Sequence, residues 1–148
     1  ILRTGGRSAV IAAKPYGNIE NCHVVDCNLQ ANYWACGLIA GMHNSGNMKN
    51  CSAKNSYIKS TGGTAAITGV LNETNGVRTY ENCSAVGCTI NNGGDDPYAG
   101  AAIVGLINID NVTVKFVNCT KSDNTYEGTA KDELYGYNAG DNTTVEIE

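Results

Sequence analysis

The chain has 148 residues, enough for one domain, with a formal net charge of -4 and a pI of about 5.1. It has no run of Lys and Arg to displace counterions, so we do not expect it to bind nucleic acid. No apolar stretch approaches the roughly 18 residues that would span a bilayer, so no membrane span is expected. One Phe, one Trp and two Met stand against 18 Gly. This composition suits a narrow core between short strands.

The start of the chain resembles part of a repeat. It begins at Ile1 rather than Met, and Gly5–Ala13 looks like the tail of a unit whose head is missing. We therefore interpret residues 1–148 as a single domain that is a segment of a longer or processed protein.

The rest of the chain is dominated by a self-similar period. An Asn-Cys pair recurs with steps of 29, 32 and 36 residues between cysteines, and a small-residue cluster around an Ile recurs with it. The pairs are Asn21-Cys22, Asn50-Cys51, Asn82-Cys83 and Asn118-Cys119, and the clusters are Gly37–Gly41, Ala65–Gly69 and Ala101–Gly105. A period in this range is typical of stacked repeats. The chain is therefore predicted to be all-β, a parallel β-solenoid of four to five rungs.

Three short strands are predicted in each rung, beginning in the first unit at Cys22, Cys27 and Gly37. Because side chains alternate faces along a strand, four columns are expected to point inward. These columns are Cys22/Cys51/Cys83/Cys119, Val24/Ala53/Ala85, Leu29/Ile58/Ile90/Tyr126 and Ile11/Ile39/Ile67/Ile103/Leu134.

The Asn before each first-strand Cys is predicted to bend the chain. An apolar residue stands three positions before each Cys and would face outward in a straight strand; a bend at the Asn returns it to the core. These residues are Ile19, Met48, Tyr80 and Phe116. Asn tolerates left-handed dihedral angles, and stacked Asn amides can bond from rung to rung. An Asn ladder is therefore expected.

The fourth unit departs from the pattern in a way that is typical of a terminal repeat. Lys121 stands in the column of Val24 and Ala53, and Asp132 stands where other units have a small residue. Charges at an apolar column oppose edge-to-edge growth, so we interpret them as an end cap.

Seven cysteines leave at least one unpaired thiol. Buried thiols are favoured, while bridges Cys22–Cys27 and Cys83–Cys88 stay open as alternatives. No Cys-x2-Cys pair exists, and His23 and His43 have no copies in other units, so no metal site is expected. Both histidines are expected at solvated outward or corner positions, and no cofactor is expected.

One stretch resembles a known family. Gly37-Leu38-Ile39-Ala40-Gly41, followed by Asn44-Ser45-Gly46-Asn47-Met48-Lys49-Asn50-Cys51, resembles the GLUG repeat of large secreted and surface proteins of bacteria. The resemblance implies a right-handed parallel β-helix on an exported, adhesin-like bacterial protein. Some relatives are metallopeptidases, but their His-Glu-x-x-His motif is absent here, so peptidase chemistry is not implied.

One corner is the candidate ligand site. Trp34 and Tyr98 each lie seven residues before an anchoring glycine, beside Tyr33 and an insertion that carries Asp95 and Asp96. Exposed aromatic rings can stack on sugars or anchor a protein, and insertions in solenoids often form the binding face. The alternative is that these rings only cover the apolar floor of their own loop.

The function predicted from these patterns is non-catalytic, because no triad, catalytic carboxylate pair or metal constellation survives the comparison of the repeats. We expect a repeat module of a secreted or cell-surface bacterial protein that acts as a stalk, an adhesive surface or a surface that presents a ligand. A host glycan or protein surface is the expected partner. The alternative is a carbohydrate-binding module or a fragment of a polysaccharide-degrading β-helix enzyme.

Overall fold

The computed structural model describes residues 2–4, 6–32, 34–73, 76–94 and 99–148. Within these residues the chain forms twenty short strands and no helix. Each strand pairs in parallel with its equivalents one rung before and after, which gives a β-solenoid of about four turns. The predicted all-β parallel solenoid is confirmed.

The strands follow one another rung by rung. After β1 (Leu2–Thr4), the first rung holds β2 (Ile19–Glu20), β3 (His23–Val25), β4 (Asn28–Ala31), β5 (Ala35–Gly37) and β6 (Ala40–His43). The second holds β7 (Met48–Lys49), β8 (Ser52–Lys54), β9 (Tyr57–Ser60), β10 (Gly63–Ala65) and β11 (Thr68–Asn72). The third holds β12 (Gly76–Glu81), β13 (Ser84–Val86), β14 (Thr89–Asn92) and β15 (Val104–Asn108). The fourth holds β16 (Val112–Val117), β17 (Thr120–Ser122), β18 (Thr125–Gly128) and β19 (Tyr135–Asn138), and β20 (Thr144–Ile147) pairs with β16.

Each of the first two rungs contains five strands rather than the three that were predicted. The segment that ends at Ile19 is a strand of its own, and Gly37–Gly41 spans two strands, β5 and β6, which meet at a bend at Leu38 and Ile39. The described strands form five sheets, and the core lies between them.

The predicted inward columns form this core. Cys51, Cys83, Leu29, Ile58, Ile90, Ile39, Ile67 and Ile103 are all buried. At the ends of the stack the columns lose cover, because only one side has a neighbouring rung. Ile11, on the outermost rung over Leu38, is therefore 48% exposed rather than buried.

A glycine column explains why small residues recur after each Ile. A Cβ at Gly69 would lie 2.4 Å from the backbone nitrogen of Cys36, and one at Gly105 would lie 2.3 Å from that of Thr64. The sheet of β6, β11, β15 and β19 thus packs directly on the backbone of the β5–β10 sheet. Only Gly permits so close an approach.

The predicted asparagine bends and ladder are confirmed. Asn21, Asn50, Asn82 and Asn118 have φ between 50° and 55°. The side-chain amide of Asn50 donates to Asn21 Oδ1 at 3.2 Å, and that of Asn82 donates to Asn50 Oδ1 at 3.2 Å. A second left-handed column, which the sequence interpretation missed, consists of Asp26, Asn55, Gly87 and Asp123.

The two charges that interrupt the last unit meet each other. Lys121 Nζ lies 2.7 Å from Asp132 Oδ1 and donates a hydrogen bond to it. This bond lowers the pKa of Asp132. The ion pair lies in the last rung, which agrees with the end cap predicted from the sequence.

Candidate functional site

The predicted ligand corner is described only in part. Trp34 lies within the described residues, whereas Tyr33, Asp95, Asp96 and Tyr98 lie outside them. The proposed grouping of the five side chains therefore stays a prediction.

Trp34 itself covers a small second core between the packed sheets. It is half-buried against a cluster formed by Ala35, Met42, Val70 and Leu106. The guanidinium carbon of Arg7 lies 5.7 Å from the centre of the Trp34 ring, within cation–π range. The backbone of Trp34 stacks directly on Gly62, where a Cβ would come within 2.2 Å of the Trp34 Cα. These contacts give Trp34 a packing role, which was the alternative weighed for it.

His43 is not a solvated residue, so the prediction of an outward or corner position is wrong. It is fully buried, because it stands in register with Leu71 and thus in the same inward column as Leu71 and Ile107. Its Nε2 donates to the Gly17 carbonyl at 3.0 Å, and its Nδ1 lies 3.4 Å from the Tyr80 hydroxyl. Burial, with a smaller contribution from nearby Arg78, lowers the pKa of His43 to about 4. His43 is therefore a neutral core residue at pH 7.

Arg78 is a buried charged residue that sequence reasoning missed. Its guanidinium donates to the carbonyls of Gly46 at 2.6 Å, Asn44 at 3.2 Å and His43 at 3.5 Å. Burial lowers the pKa of Arg78. The side chain thereby satisfies the carbonyls of the turn that follows β6, which is a structural task.

His23, in contrast, is exposed as expected, and its Nδ1 lies 2.8 Å from the Ser52 hydroxyl one rung away. This contact joins neighbouring outward positions of β3 and β8. It brings a serine hydroxyl within hydrogen-bond reach of an imidazole, a partner that the sequence spacing did not predict.

The seven cysteines are free thiols, and four of them form a single column. Cys51 Sγ donates to the carbonyls of Lys49 at 3.3 Å and Ile19 at 3.8 Å, and Cys119 Sγ donates to the Tyr80 carbonyl at 3.3 Å. Each thiol also lies beside the next thiol in the column. Cys36 stands apart in the core, where burial raises its pKa to about 12. Cys51 and Cys83 are buried as the sequence predicts, whereas Cys22 and Cys119, at the two ends of the column, are half-buried.

A polar cleft of about 230 Å³ opens on the outer face of β2, β7 and β12. Glu20, Lys49 and Glu81 stand in register along one side, and Lys49 Nζ lies 3.0 Å from the Glu81 carboxylate. Along the other side, Asn18 Oδ1 accepts a hydrogen bond from the backbone nitrogen of Asn47 at 2.9 Å, and Asn47 Oδ1 accepts one from the backbone nitrogen of Thr79 at 2.8 Å. The cleft presents carboxylate, ammonium, amide and hydroxyl groups, a set suited to a hydroxylated ligand.

Among the described residues, no group of three or more His, Cys, Asp and Glu side chains is placed to hold a metal ion. No helix in that part of the chain is long and apolar enough to cross a membrane. Comparison with known proteins gives no match to a family model, a curated protein or a solved structure.

Proposed function

We propose that the chain is a non-catalytic repeat module of a secreted or cell-surface bacterial protein, serving as a stalk or as a surface that presents or adheres to a ligand. The observation that carries this proposal is that the repeated polar side chains bond from rung to rung. The Asn amides, the thiols and the Asn18–Asn47 pair all connect one rung to the next. Such residues maintain a regular stack and its outer faces.

The buried imidazole and the buried thiols support the same interpretation. A catalytic base must reach its substrate, and a nucleophile needs such a base beside it. The imidazole of His43 is enclosed in the core, and Cys51 and Cys83 donate to backbone carbonyls. These side chains have packing roles that explain their presence without a reaction.

The bacterial and exported setting depends on the resemblance to the GLUG repeat. Exported proteins usually pair their cysteines, so free thiols need an explanation in this proposal. Cys36, Cys51, Cys83 and Cys88 are buried, and burial protects them from oxidants in the solvent.

An assay for turnover and adhesion tests the proposal. The purified chain is incubated with uronic-acid polysaccharides and with peptide substrates, and in parallel it is coupled to beads that are applied to host cells and extracellular matrix. We expect adhesion without product release. Turnover that is abolished by Asp95→Ala or Asp96→Ala would overturn the non-catalytic assignment.

A carbohydrate-binding module is the second candidate, and the polar cleft favours it. The cleft presents carboxylate, amide and hydroxyl groups that can bond to a sugar, and Glu20 lies outside the Lys49–Glu81 ion pair. A glycan array with the wild type, Glu20→Gln and Trp34→Ala separates two locations. Loss of binding in Glu20→Gln alone places the sugar in the cleft, and loss in Trp34→Ala alone places it at the corner. Equal binding by all three, or by none, removes both locations.

A further inference from the structure

Four thiols form one column that runs through four successive rungs of the solenoid. The Ser52 amide nitrogen bonds to the Cys22 carbonyl, and those of Ser84 and Thr120 bond to the Cys51 and Cys83 carbonyls. Cys22, Cys51, Cys83 and Cys119 therefore occupy equivalent positions in four successive rungs. Neighbouring strands lie about 4.8 Å apart, so the thiols are spaced at close to this distance.

This spacing is unfavourable for disulfides. A disulfide needs Cβ atoms about 3.5–4.5 Å apart and sulfur atoms about 2.05 Å apart. In-register neighbours on parallel strands point the same way, which keeps their Cβ atoms near the strand spacing of about 4.8 Å. Closing a bridge would pull two rungs together against the rest of the ladder.

The same spacing suits a metal ion held between two sulfurs. A metal–thiolate bond is about 2.3 Å, so a linear sulfur–metal–sulfur unit spans about 4.6 Å. The absence of any three-ligand group among the described residues leaves no tetrahedral site of the kind zinc prefers. Thiolate ligands select soft ions, and Cu(I) accepts two-coordinate linear geometry.

We propose that the thiol column binds Cu(I), with one ion between Cys22 and Cys51 and a second between Cys83 and Cys119. Each ion replaces two thiol protons, which pass to solvent, and each unit carries a net charge of minus one. Cys22 and Cys119 are only half-buried, so an ion can enter the column at either end.

The chain contains its own control. Cys27 and Cys88 belong to a parallel column, but Ser56 stands between them, with its hydroxyl accepting from the Cys27 amide nitrogen at 3.0 Å. A thiol in that column therefore has no thiol in the next rung. Cys88→Ser removes a buried cysteine without touching the four-thiol column.

The experiment titrates the reduced protein with Cu(I) under nitrogen, in competition with a Cu(I) chelator such as bicinchoninate, and counts bound ions by native mass spectrometry. We expect two ions in the wild type and in Cys88→Ser, and one in Cys22→Ser, whose half-buried position makes the substitution mild. Copper X-ray absorption on the wild type should show two sulfur neighbours per ion, and this readout does not depend on any variant folding.

Three results would overturn the proposal. The chelator could strip the wild type completely, Cys88→Ser could lose as much copper as Cys22→Ser, or the absorption spectrum could show three or more sulfur neighbours. The second result would indicate that copper binds cysteines without regard to the column.

Discussion

The buried imidazole of His43 should make the solenoid sensitive to mild acid. In the fold, burial lowers the pKa of His43 to about 4, against 6.5 for the free side chain. Protonation would place a positive charge inside the core, beside Arg78 and against the Tyr80 hydroxyl. The unfolded chain takes up this proton without such a penalty, so acid favours unfolding.

The magnitude follows from linkage. One pKa unit corresponds to about 1.4 kcal/mol, so the difference between 6.5 and about 4 contributes about 3 kcal/mol to stability at neutral pH. Because the pKa in the folded state is the lower one, this contribution is present above about pH 6.5. It decreases as the pH falls and is lost near pH 4. A loss of this size is a large part of the free energy of unfolding of a typical domain.

Urea unfolding at a series of pH values from about 7 to 4, followed by circular dichroism, measures the effect. The His43→Gln variant lacks the titrating group. Between pH 7 and pH 4, the free energy of unfolding of the wild type should therefore fall by about 3 kcal/mol more than that of the variant. Carboxylates titrate in both proteins and cancel in the difference. His23→Gln controls for loss of an exposed imidazole and should follow the wild type. Parallel curves for the wild type and His43→Gln would refute the reasoning.

Three further predictions concern the stack. Gly69→Ala places a Cβ 2.4 Å from a backbone nitrogen of the preceding rung, so it should lower the free energy of unfolding in urea by about 2 kcal/mol or more. Gly93→Ala, with no neighbour closer than 3.7 Å, should leave it nearly unchanged; equal effects would contradict the close sheet packing. Asn50→Ala should destabilise by about 1–2 kcal/mol, whereas Asn50→Gly should recover the part due to the left-handed backbone. If Gly is no better than Ala, backbone strain is not the cause. The double variant Lys121→Val, Asp132→Ala removes the end charges and should self-associate in sedimentation experiments, while a monomer at all concentrations would argue against the cap.

The adhesion assay tests the repeat-module proposal, and the copper titration tests the thiol-column proposal. Loss of copper binding would leave the repeat-module proposal intact, since the thiol column is internal to the stack. Loss of adhesion would leave the copper proposal intact for the same reason. The two proposals therefore fail independently.

Much of the fold could be predicted because equivalent positions in successive repeats can be aligned with one another in a single sequence. Ile39, Ile67 and Ile103 occupy one column since each stands two residues before an anchoring glycine. The Asn-Cys pairs predicted the left-handed bends and the amide ladder because Asn adopts that conformation at low cost. These features depend on which residues lie above one another in successive rungs, and the periodic spacing of the sequence indicates those residues.

The candidate site was less predictable. Four of its five residues, Tyr33, Asp95, Asp96 and Tyr98, lie outside the described residues. Trp34 packs on the second core, a contact that depends on how close two sheets approach rather than on local sequence. The polar cleft was missed because its walls come from strands about 30 residues apart, and its residues are ordinary polar types on an outer face.

The sequence by itself determined the stacking: the number of rungs, their register, the apolar columns and the charged last unit. Tertiary structure decided the path across each rung, above all the bend at Leu38 and Ile39 that brings β6 back against the backbone of the β5 sheet. His43 shows the difference. It stands two residues after Gly41, as Leu71 and Ile107 follow Gly69 and Gly105, yet the predicted register of three strands gave it an outward or corner position. Only the packed fold decided that it is buried, because burial depends on the neighbours that a side chain meets in three dimensions.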